Sequence, residues 1–291
     1  MCARTAGSRI TCELILYANA LFTVLAIMEL EERFSLDNRP RVEQVLQMEP
    51  RLPNKMDGVV RIDFHVHTNR SPEGINGLAE IIERAKRVGL DGIAITDHNR
   101  LLTREVAAKL SKIHDFIVIG GVEGGDLVRR RNHNGNSHRH WIALNLDSTP
   151  SDADMHAIAE SVREEGGLSI APHPYARNGF RNYERLGFDA VESLNGTRRE
   201  EEVKGQSLAR VGGTDSHAKY MLGYTWTDVY DSNGSVESIL ESVRRGNCTA
   251  RGAGIPLRVI MKFYFAVLGR YPLSEPCELI QRGSRELRKY C

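Results

Sequence analysis

The chain has 291 residues, of which 41% are hydrophobic and 26% are charged. It is therefore long and apolar enough to bury a core, and it is not a disordered or low-complexity protein. With 39 basic and 38 acidic side chains its formal net charge is +1, so any affinity for nucleic acid has to be local. The five cysteines form no CxxC pair, which argues against a disulfide framework or a thiolate zinc site and predicts a reducing, cytoplasmic location.

The first 55 residues differ from the rest of the chain. Residues 14–28 are largely apolar, but Asn19 and Thr23 interrupt them, and the stretch is shorter than the roughly 20 residues of a membrane-spanning helix. Glu13 and the lack of a small-residue cleavage site argue against a secretory signal. We therefore predict that residues 1–55 form an N-terminal extension with no membrane role. It is either an amphipathic helix packed on the following domain or a poorly ordered leader, and a third alternative is that translation begins at Met56.

From residue 58 onward, strand-like and helix-like segments alternate. The seven predicted strands are residues 59–65, 92–96, 116–122, 141–145, 168–171, 190–194 and 209–213. Apolar residues recur with helical spacing in two segments, Leu78, Ile81, Ile82, Ala85 and Val88 in the first and Val106, Leu110 and Ile113 in the second. A third helix is predicted after the cap Ser151, with Asp152 and Asp154 in its first turn, and a fourth after Ser235, with Val236, Ile239, Leu240 and Val243 on one face.

This alternation predicts an α/β fold of parallel strands joined by crossover helices, either a barrel or a doubly wound sheet. The glycine-rich run GGVEGG at 120–125 has neither the dinucleotide-binding nor the phosphate-loop spacing. A barrel is therefore favoured, and barrels carry their chemistry at the carboxyl ends of the strands.

Side chains of the types that bind metal ions occur where the predicted strands meet their loops. His65 and His67 are two residues apart, which puts both imidazoles on one face of a strand. The others are Asp97, His98, Glu123, His173, Asp215 and His217 after later strands, and His140 directly before the fourth strand. Mixed imidazole and carboxylate groups of this kind are typical of a site for divalent metal ions.

Five motifs give the sequence a family resemblance: DFHVHTNRSPEG at 63–74, GLDGIAITDHN at 89–99, GVEGG at 121–125, APHP at 171–174 and GGTDSHA at 212–218. In order and spacing the chain resembles the PHP (polymerase and histidinol phosphatase) domain family. The resemblance implies a distorted seven-stranded (β/α)7 barrel, which we place at residues 56–251. Residues 252–291 are predicted to be a C-terminal appendage of two short helices, at 256–268 and 274–290.

The resemblance also implies a cluster of two or three divalent ions, of manganese, iron or zinc. Its ligands map onto His65, His67, Glu73, His98, Glu123, His140, His173, Asp215 and His217. Glu73 departs from the Asp or His that related proteins carry at its position. Asp97 is interpreted as a catalytic-site residue that hydrogen-bonds a ligand imidazole and fixes its tautomer, or alternatively as a turn cap. His138 is an alternative to His140, which is preferred because it adjoins the apolar strand.

Clustered ions and the resemblance together predict hydrolysis of phosphate esters by a metal-activated hydroxide. The predicted substrate is a phosphomonoester of a nucleotide or a small metabolite, with Arg177, Arg181 and Arg100 binding its phosphate. One alternative is an exonuclease that trims oligonucleotide ends, guided by the basic loop with Arg129, Arg130, Arg131, His133, His138 and Arg139. That loop is equally well interpreted as a solvated surface segment. The second alternative is a barrel that binds without catalysis.

Overall fold

The computed structural model describes residues 50–125, 139–150, 154–198, 203 and 208–268. Within these residues nine strands form one sheet, which five α-helices accompany. The strands are β1 (Val60–Val66), β2 (Gly92–Ile95), β3 (Ile117–Gly124), β4 (Trp141–Leu144), β5 (Leu168–Ala171), β6 (Ala190–Asn195), β7 (Ala209–Gly213), β8 (Thr225–Val229) and β9 (Cys248–Gly252). The helices are α1 (Leu78–Val88), α2 (Arg104–His114), α3 (Met155–Glu164), α4 (Val236–Arg244) and α5 (Leu257–Leu268).

The strands follow one another in the order β7-β6-β5-β4-β3-β2-β1-β8-β9, and the sheet curls until it is nearly closed. Its closure joins the chain after β7 to β1, because the N–H of Asp215 donates to the carbonyl of His65 at 2.8 Å and the N–H of His67 donates to that of Ser216 at 2.9 Å. Gly213 permits the close approach, since a Cβ there would lie 2.4 Å from the Cβ of His65. The fold is thus an α/β barrel-like sheet.

The predicted number and direction of the strands need correction. All seven predicted segments are strands, but β8 and β9 extend the sheet to nine in the described part of the chain. The strands β1, β2 and β3 are parallel, as are β5, β6 and β7, whereas β4 runs antiparallel to both of its neighbours and β8 to both of its own. The purely parallel prediction failed because a short, fully buried apolar run, such as the four residues of β4, looks the same in either direction.

Helices α1 and α4 bury the faces that their spacing predicts. Helix α1 buries Ile81, Ile82, Ala85 and Val88. Helix α4 begins after Ser235, whose hydroxyl accepts a hydrogen bond from the N–H of Ser238, and it buries Ile239, Leu240 and Val243. Both helices therefore cover the sheet with the apolar stripe that periodicity indicated.

Helices α2 and α3 differ from their predictions in detail. Helix α2 buries Ala107 and packs Leu110 against the core, while Val106 and Ile113 are 42% and 74% exposed, so only part of the predicted apolar face packs inward. A short alanine suffices where the helix lies close to β3. In α3 Asp154 is the cap itself, because its carboxylate accepts from the N–H of Ala157 at 3.1 Å. Ser151 and Asp152 lie outside the described residues.

Helix α5 is the described part of the predicted C-terminal appendage. Its buried residues Ile260 and Phe263 pack against Ala218 and Met221, which follow β7. None of the helices in the described residues is both long and apolar enough to cross a membrane. Residues 1–49 and the predicted helix at 274–290 lie outside the described residues.

The main core fills the interior of the sheet and sets the position of the polar rim. It includes Ile62 and Phe64 of β1, Ile119 of β3, Leu144 of β4 and Ile170 of β5, all of them at most 1% exposed. A close-packed apolar layer of this kind leaves little freedom to the strand ends above it. The side chains at those ends are therefore held in fixed relative positions.

Candidate metal centre

The strand directions bring the polar side chains to one rim of the sheet. His65 lies near the carboxyl end of β1, and Glu123 near that of β3. His140 directly precedes β4, and the antiparallel pairing of Trp141 with Gly124 places that amino end beside the carboxyl end of β3. The reversed direction of β4 is therefore what allows a residue before a strand to join residues that lie at or after the ends of other strands.

Glu123 lies at the centre of the cluster. Its Oε2 is 3.3 Å from Nε2 of His65, 3.3 Å from Nε2 of His67 and 3.1 Å from Nδ1 of His98. The Nε2 atoms of His65 and His67 are 3.1 Å apart. Three imidazole nitrogens from two strand ends thus converge on one buried carboxylate oxygen.

The other oxygen of Glu123 reaches two more imidazoles. Its Oε1 lies 2.6 Å from Nδ1 of His140 and 3.1 Å from Nε2 of His173. The amide of Asn178 contacts the His140 ring at 3.0 Å. His173 has a φ of 30°, in the left-handed region that few residues other than glycine adopt. This strained backbone places its ring towards Glu123.

Asp215 is the second carboxylate of the cluster. Its Oδ1 lies 3.5 Å from Nε2 of His65, 3.4 Å from Nε2 of His67 and 3.8 Å from Nδ1 of His217. The ring of His217 stacks on that of His67 with centroids 4.1 Å apart. Asp215 also has a left-handed φ of 52°. The cluster thus joins residues from every strand end that the sequence singled out.

The two carboxylates and the imidazoles shift one another's pKa values. Burial raises the pKa of Glu123, but the imidazoles of His140, His98 and His65 outweigh it and hold this pKa well below the usual value. Burial likewise opposes the ionised form of Asp215, yet His65 and His67 bring its pKa well below the usual value. The structure therefore keeps two negative charges in a buried site.

The imidazoles divide into two groups. Burial lowers the pKa of His65, but Asp215, Glu192 and Glu123 together raise it well above the usual value. The pKa of His67 rises to about 9, because the nearby carboxylates of Asp215 and Glu123 outweigh burial. The other shifts are downward: burial lowers the pKa values of His98, His173 and His217. The imidazoles nearest to both carboxylates, His65 and His67, therefore hold protons most strongly. A bound cation would replace the positive charge of these protons.

The donor set fits a divalent cation. Oε2 of Glu123 is buried and has no hydrogen-bond partner in the described part of the chain, although three imidazole nitrogens lie within 3.3 Å. A buried carboxylate oxygen without a hydrogen bond is costly unless a cation balances it. In each of three groups the ligand atoms all lie within 4.8 Å of one another. The groups are His67, His98 and His217; His65, His67 and Glu123; and His98, Glu123 and His140. Imidazole and carboxylate oxygen suit manganese, iron and zinc.

Glu73 lies beside the cluster and is not among those sets. It is half-buried, and its Oε2 is buried without a hydrogen-bond partner among the described residues. Its charge acts on His217, where it opposes the lowering of the pKa by burial. The structure thus brings eight of the nine predicted ligands into direct contact and leaves Glu73 next to His217 with a free carboxylate oxygen.

Asp97 does not contact a ligand imidazole directly. Its carboxylate accepts hydrogen bonds from the N–H and hydroxyl of Thr68, at 2.7 and 2.8 Å, and from the hydroxyl of Ser71 at 2.9 Å. The Ser71 oxygen in turn lies 3.1 Å from Nδ1 of His67. Asp97 and His67 are therefore linked through the Ser71 hydroxyl and not by the direct hydrogen bond that was predicted. Asp97 also stabilises the loop after β1, which is the role that the turn-cap alternative expected.

The three predicted phosphate-binding arginines are exposed: Arg100, Arg177 and Arg181. A further candidate is Arg198, whose positive charge adds to burial in lowering the pKa of His173. Its Nε is buried and has no hydrogen-bond partner in the described residues. In the basic loop, Arg139 donates to the carbonyl of Gly179 at 3.1 Å and so has a structural partner, while residues 126–138 lie outside the described residues.

Sequence reasoning missed Glu192 and Asn195 of β6 as well as Arg198. Glu192 is 3% exposed, and its Oε1 lies 3.0 Å from Nδ1 of His65. A glutamate within an otherwise apolar strand, AVESLN, was the available signal, since a buried charge needs a partner.

The metal-free protein is expected to lose stability as the pH rises from about 6.5 to 9. In the folded state the pKa of His67 is about 9 instead of 6.5. The stability that its proton contributes is complete below the unfolded value and is lost as the pH passes through the folded value. A pKa difference of this size corresponds to roughly 3 kcal/mol. Urea unfolding with a chelator at both pH values measures the change, and equal stability at pH 9 would contradict it.

Comparison with known proteins agrees with the motifs. The protein-family model of the PHP domain matches residues 63–185, and the family model described as PHP-associated matches residues 200–248. An uncharacterized protein of Methanocaldococcus jannaschii is 29% identical over 170 residues, which are 52% of this chain and 91% of that protein. The PolC-type DNA polymerase III of Bacillus subtilis is 25% identical over 123 residues, which are 39% of this chain and 9% of the polymerase.

A solved structure shares the fold. It is a two-domain protein from Bacteroides vulgatus containing a predicted PHP-like metal-dependent phosphoesterase, with a TM-score of 0.51 and 18% identity over 75% of this chain and 70% of that chain. The matched segments 63–185 and 200–248 contain every residue of the cluster. Residues 63–185 of this chain therefore match the PHP domain family, and residues 200–248 match the PHP-associated model.

Proposed function

We propose that the protein is a metal-dependent phosphoesterase that hydrolyses phosphomonoesters of nucleotides or small metabolites. The observation that carries the proposal is the buried, hydrogen-bond-free Oε2 of Glu123, surrounded by nitrogens of His65, His67 and His98. Such a site is expensive to maintain in a fold unless a cation occupies it. The residues that would hold the ions are the eight clustered ligands, with Glu73 as a ninth on the side of His217.

Divalent cations in such a cluster supply Lewis acidity, which lowers the pKa of water and balances the charge that develops on phosphoryl oxygens. The residues of the chain provide the rest. Glu123 and Asp215 hold the imidazoles in a fixed arrangement, and burial of the rim excludes bulk water. Arg198 supplies a guanidinium near His173, where its paired donors suit a phosphate.

Hydrolysis of phosphodiester ends is the second candidate. The local identity to a PolC-type DNA polymerase III supports it, because that relative is named for its action on DNA. The near-neutral charge of the chain favours the phosphomonoester instead, since an oligonucleotide requires an extended basic surface. Arg139, the described arginine of the basic loop, is already bonded to Gly179.

The test is to strip the protein of metal, reload it with Mn²⁺ and supply three kinds of substrate: phosphomonoesters, a phosphodiester and 5′-labelled short RNA. We expect release of inorganic phosphate from a monoester that depends on Mn²⁺ and is at least about 100-fold weaker in Glu123→Gln. Shortening of the RNA without phosphate release would favour the exonuclease. If the protein binds Mn²⁺ and cleaves none of the three, the hydrolase proposal is wrong and the non-catalytic barrel is favoured.

A further inference from the structure

Strand β6 is the one strand among β1 to β7 at whose rim the sequence placed no ligand. Its end carries three buried polar residues in the run ESLNGT, Glu192, Asn195 and Thr197, which are 3%, 7% and 8% exposed. Glu192 belongs to none of the sets of ligand atoms that lie within 4.8 Å of one another. The three residues need another reason to be buried at the rim, because a buried polar group is costly unless it has partners.

Three potential hydrogen-bond donors, each from a different segment, surround the carboxylate of Glu192. Its Oε1 lies 3.0 Å from Nδ1 of His65, and its Oε2 accepts from the N–H of His173 at 2.8 Å and from the amide of Asn195 at 2.8 Å. A carboxylate can only accept hydrogen bonds. In the neutral form that metal binding requires, His65 therefore carries its proton on Nδ1, and the lone pair of Nε2 faces the side of Glu123 and His67.

The same carboxylate holds the backbone of His173. The φ of this residue is 30°, a conformation that persists only where surrounding contacts impose it. The hydrogen bond from its N–H to Glu192 is such a contact. One side chain of β6 thus fixes the ring orientation of one clustered imidazole and the backbone of another.

Asn195 and Thr197 extend this support to the second carboxylate. The hydroxyl of Thr197 lies 3.1 Å from Oδ2 of Asp215 and 2.8 Å from Oδ1 of Asn195. The amide of Asn195 lies 3.4 Å from Oδ2 of Asp215. These contacts occupy Oδ2 and leave Oδ1 facing the imidazoles of His65 and His67.

We propose that Glu192 is a positioning residue of the metal centre, which holds His65 in the Nδ1-protonated tautomer and His173 in its strained conformation, with Asn195 and Thr197 extending the support to Asp215. The inference rests on the proposed metal-binding function and adds residues that contact no substrate. Carboxylates bonded to the far nitrogen of a ligand imidazole typically change metal affinity by about 10- to 100-fold when they are removed.

Glu192→Gln is the test variant, and Asp189→Asn is its matched control. Glutamine keeps the size of the side chain, but its NH₂ group has to face one of the three donors. Asp189, just before β6, is also a buried carboxylate, and it accepts hydrogen bonds from the N–H and hydroxyl of Ser169 at 2.9 and 3.0 Å, with no contact to the cluster. It lies at the opposite end of β6, so it reports the cost of losing a buried carboxylate away from the metal.

The measurement is titration of metal-free full-length protein with Mn²⁺ alone, together with ¹⁵N spectra of its histidines. We expect Glu192→Gln to lower the Mn²⁺ affinity about 10- to 100-fold and to shift the His65 Nδ1 signal, and we expect Asp189→Asn to lower only the thermal stability. Wild-type affinity in Glu192→Gln would overturn the proposal, and so would an equal loss of affinity in Asp189→Asn. Wild-type protein that binds Mn²⁺ but hydrolyses nothing would refute the proposed function and leave this test intact, whereas wild-type protein that binds no Mn²⁺ would refute both.

Discussion

Replacing Glu123 with glutamine is expected to lower the Mn²⁺ affinity more than about 100-fold and to abolish phosphate ester hydrolysis. The expected loss exceeds the 10- to 100-fold effect of residues that only support ligands, because both oxygens of Glu123 face imidazoles and one of them lacks any other partner. Glutamine preserves the shape of the side chain but removes the charge. Titration with Mn²⁺ and a phosphate-release assay on the same preparation measure both effects.

The control for this variant is Glu80→Gln. Glu80 is an exposed carboxylate near the start of α1 that pairs with Lys219 at 2.6 Å. Loss of this surface pair should change stability little and leave metal binding as it is. If Glu123→Gln binds Mn²⁺ as tightly as Glu80→Gln, Glu123 is not a ligand and the centre is wrongly placed.

Replacing Asp215 with asparagine is expected to weaken Mn²⁺ binding and hydrolysis to a similar extent, with the fold preserved. Asp215 has a left-handed φ of 52°, and asparagine is the uncharged residue other than glycine that adopts this conformation most readily. The substitution therefore removes the charge without straining the backbone. Metal titration, activity and thermal unfolding of the variant separate the electrostatic effect from a structural one.

Asp215→Ala is the companion variant. Alanine should show the same loss of metal affinity and, in addition, a loss of about 1 kcal/mol of stability, because its Cβ disfavours the left-handed conformation. Urea unfolding without metal measures this difference between the two variants. Full activity in Asp215→Asn would exclude a role for the charge, and equal stability of the two variants would contradict the backbone argument.

The sequence predicted the strands of the fold well but not their directions. Hydrophobic runs locate β3 and β4 because both are buried, yet the pattern of a four-residue strand such as Trp141–Leu144 contains no information about direction. If β4 were parallel to its neighbours, His140 would lie at the opposite rim from Glu123. The ligand prediction for His140 therefore depends on an antiparallel strand that the strand–helix pattern did not suggest.

The polar residues at the ends of strands could be predicted from the sequence, whereas the residues that act only by contacting those residues could not. His65 and His67 stand out from the apolar residues around them, so their place in the cluster could be inferred from the motif. Glu192 lies inside β6, and its function depends on which side chains of other strands face it. Arg198 likewise becomes a candidate only through its proximity to His173. Such neighbours are set by tertiary packing, which one sequence without coordinates does not reveal.

The pairing that closes the sheet has a consequence for how the protein is made. The carboxylate of Asp63 in β1 accepts hydrogen bonds from the N–H and hydroxyl of Thr214, which is 151 residues away along the chain. Contacts of such long range are costly in loop entropy and form slowly. During synthesis the histidines of the first motif leave the ribosome long before Asp215 and His217. The complete set of clustered side chains therefore exists only after Asp215 and His217 have been translated.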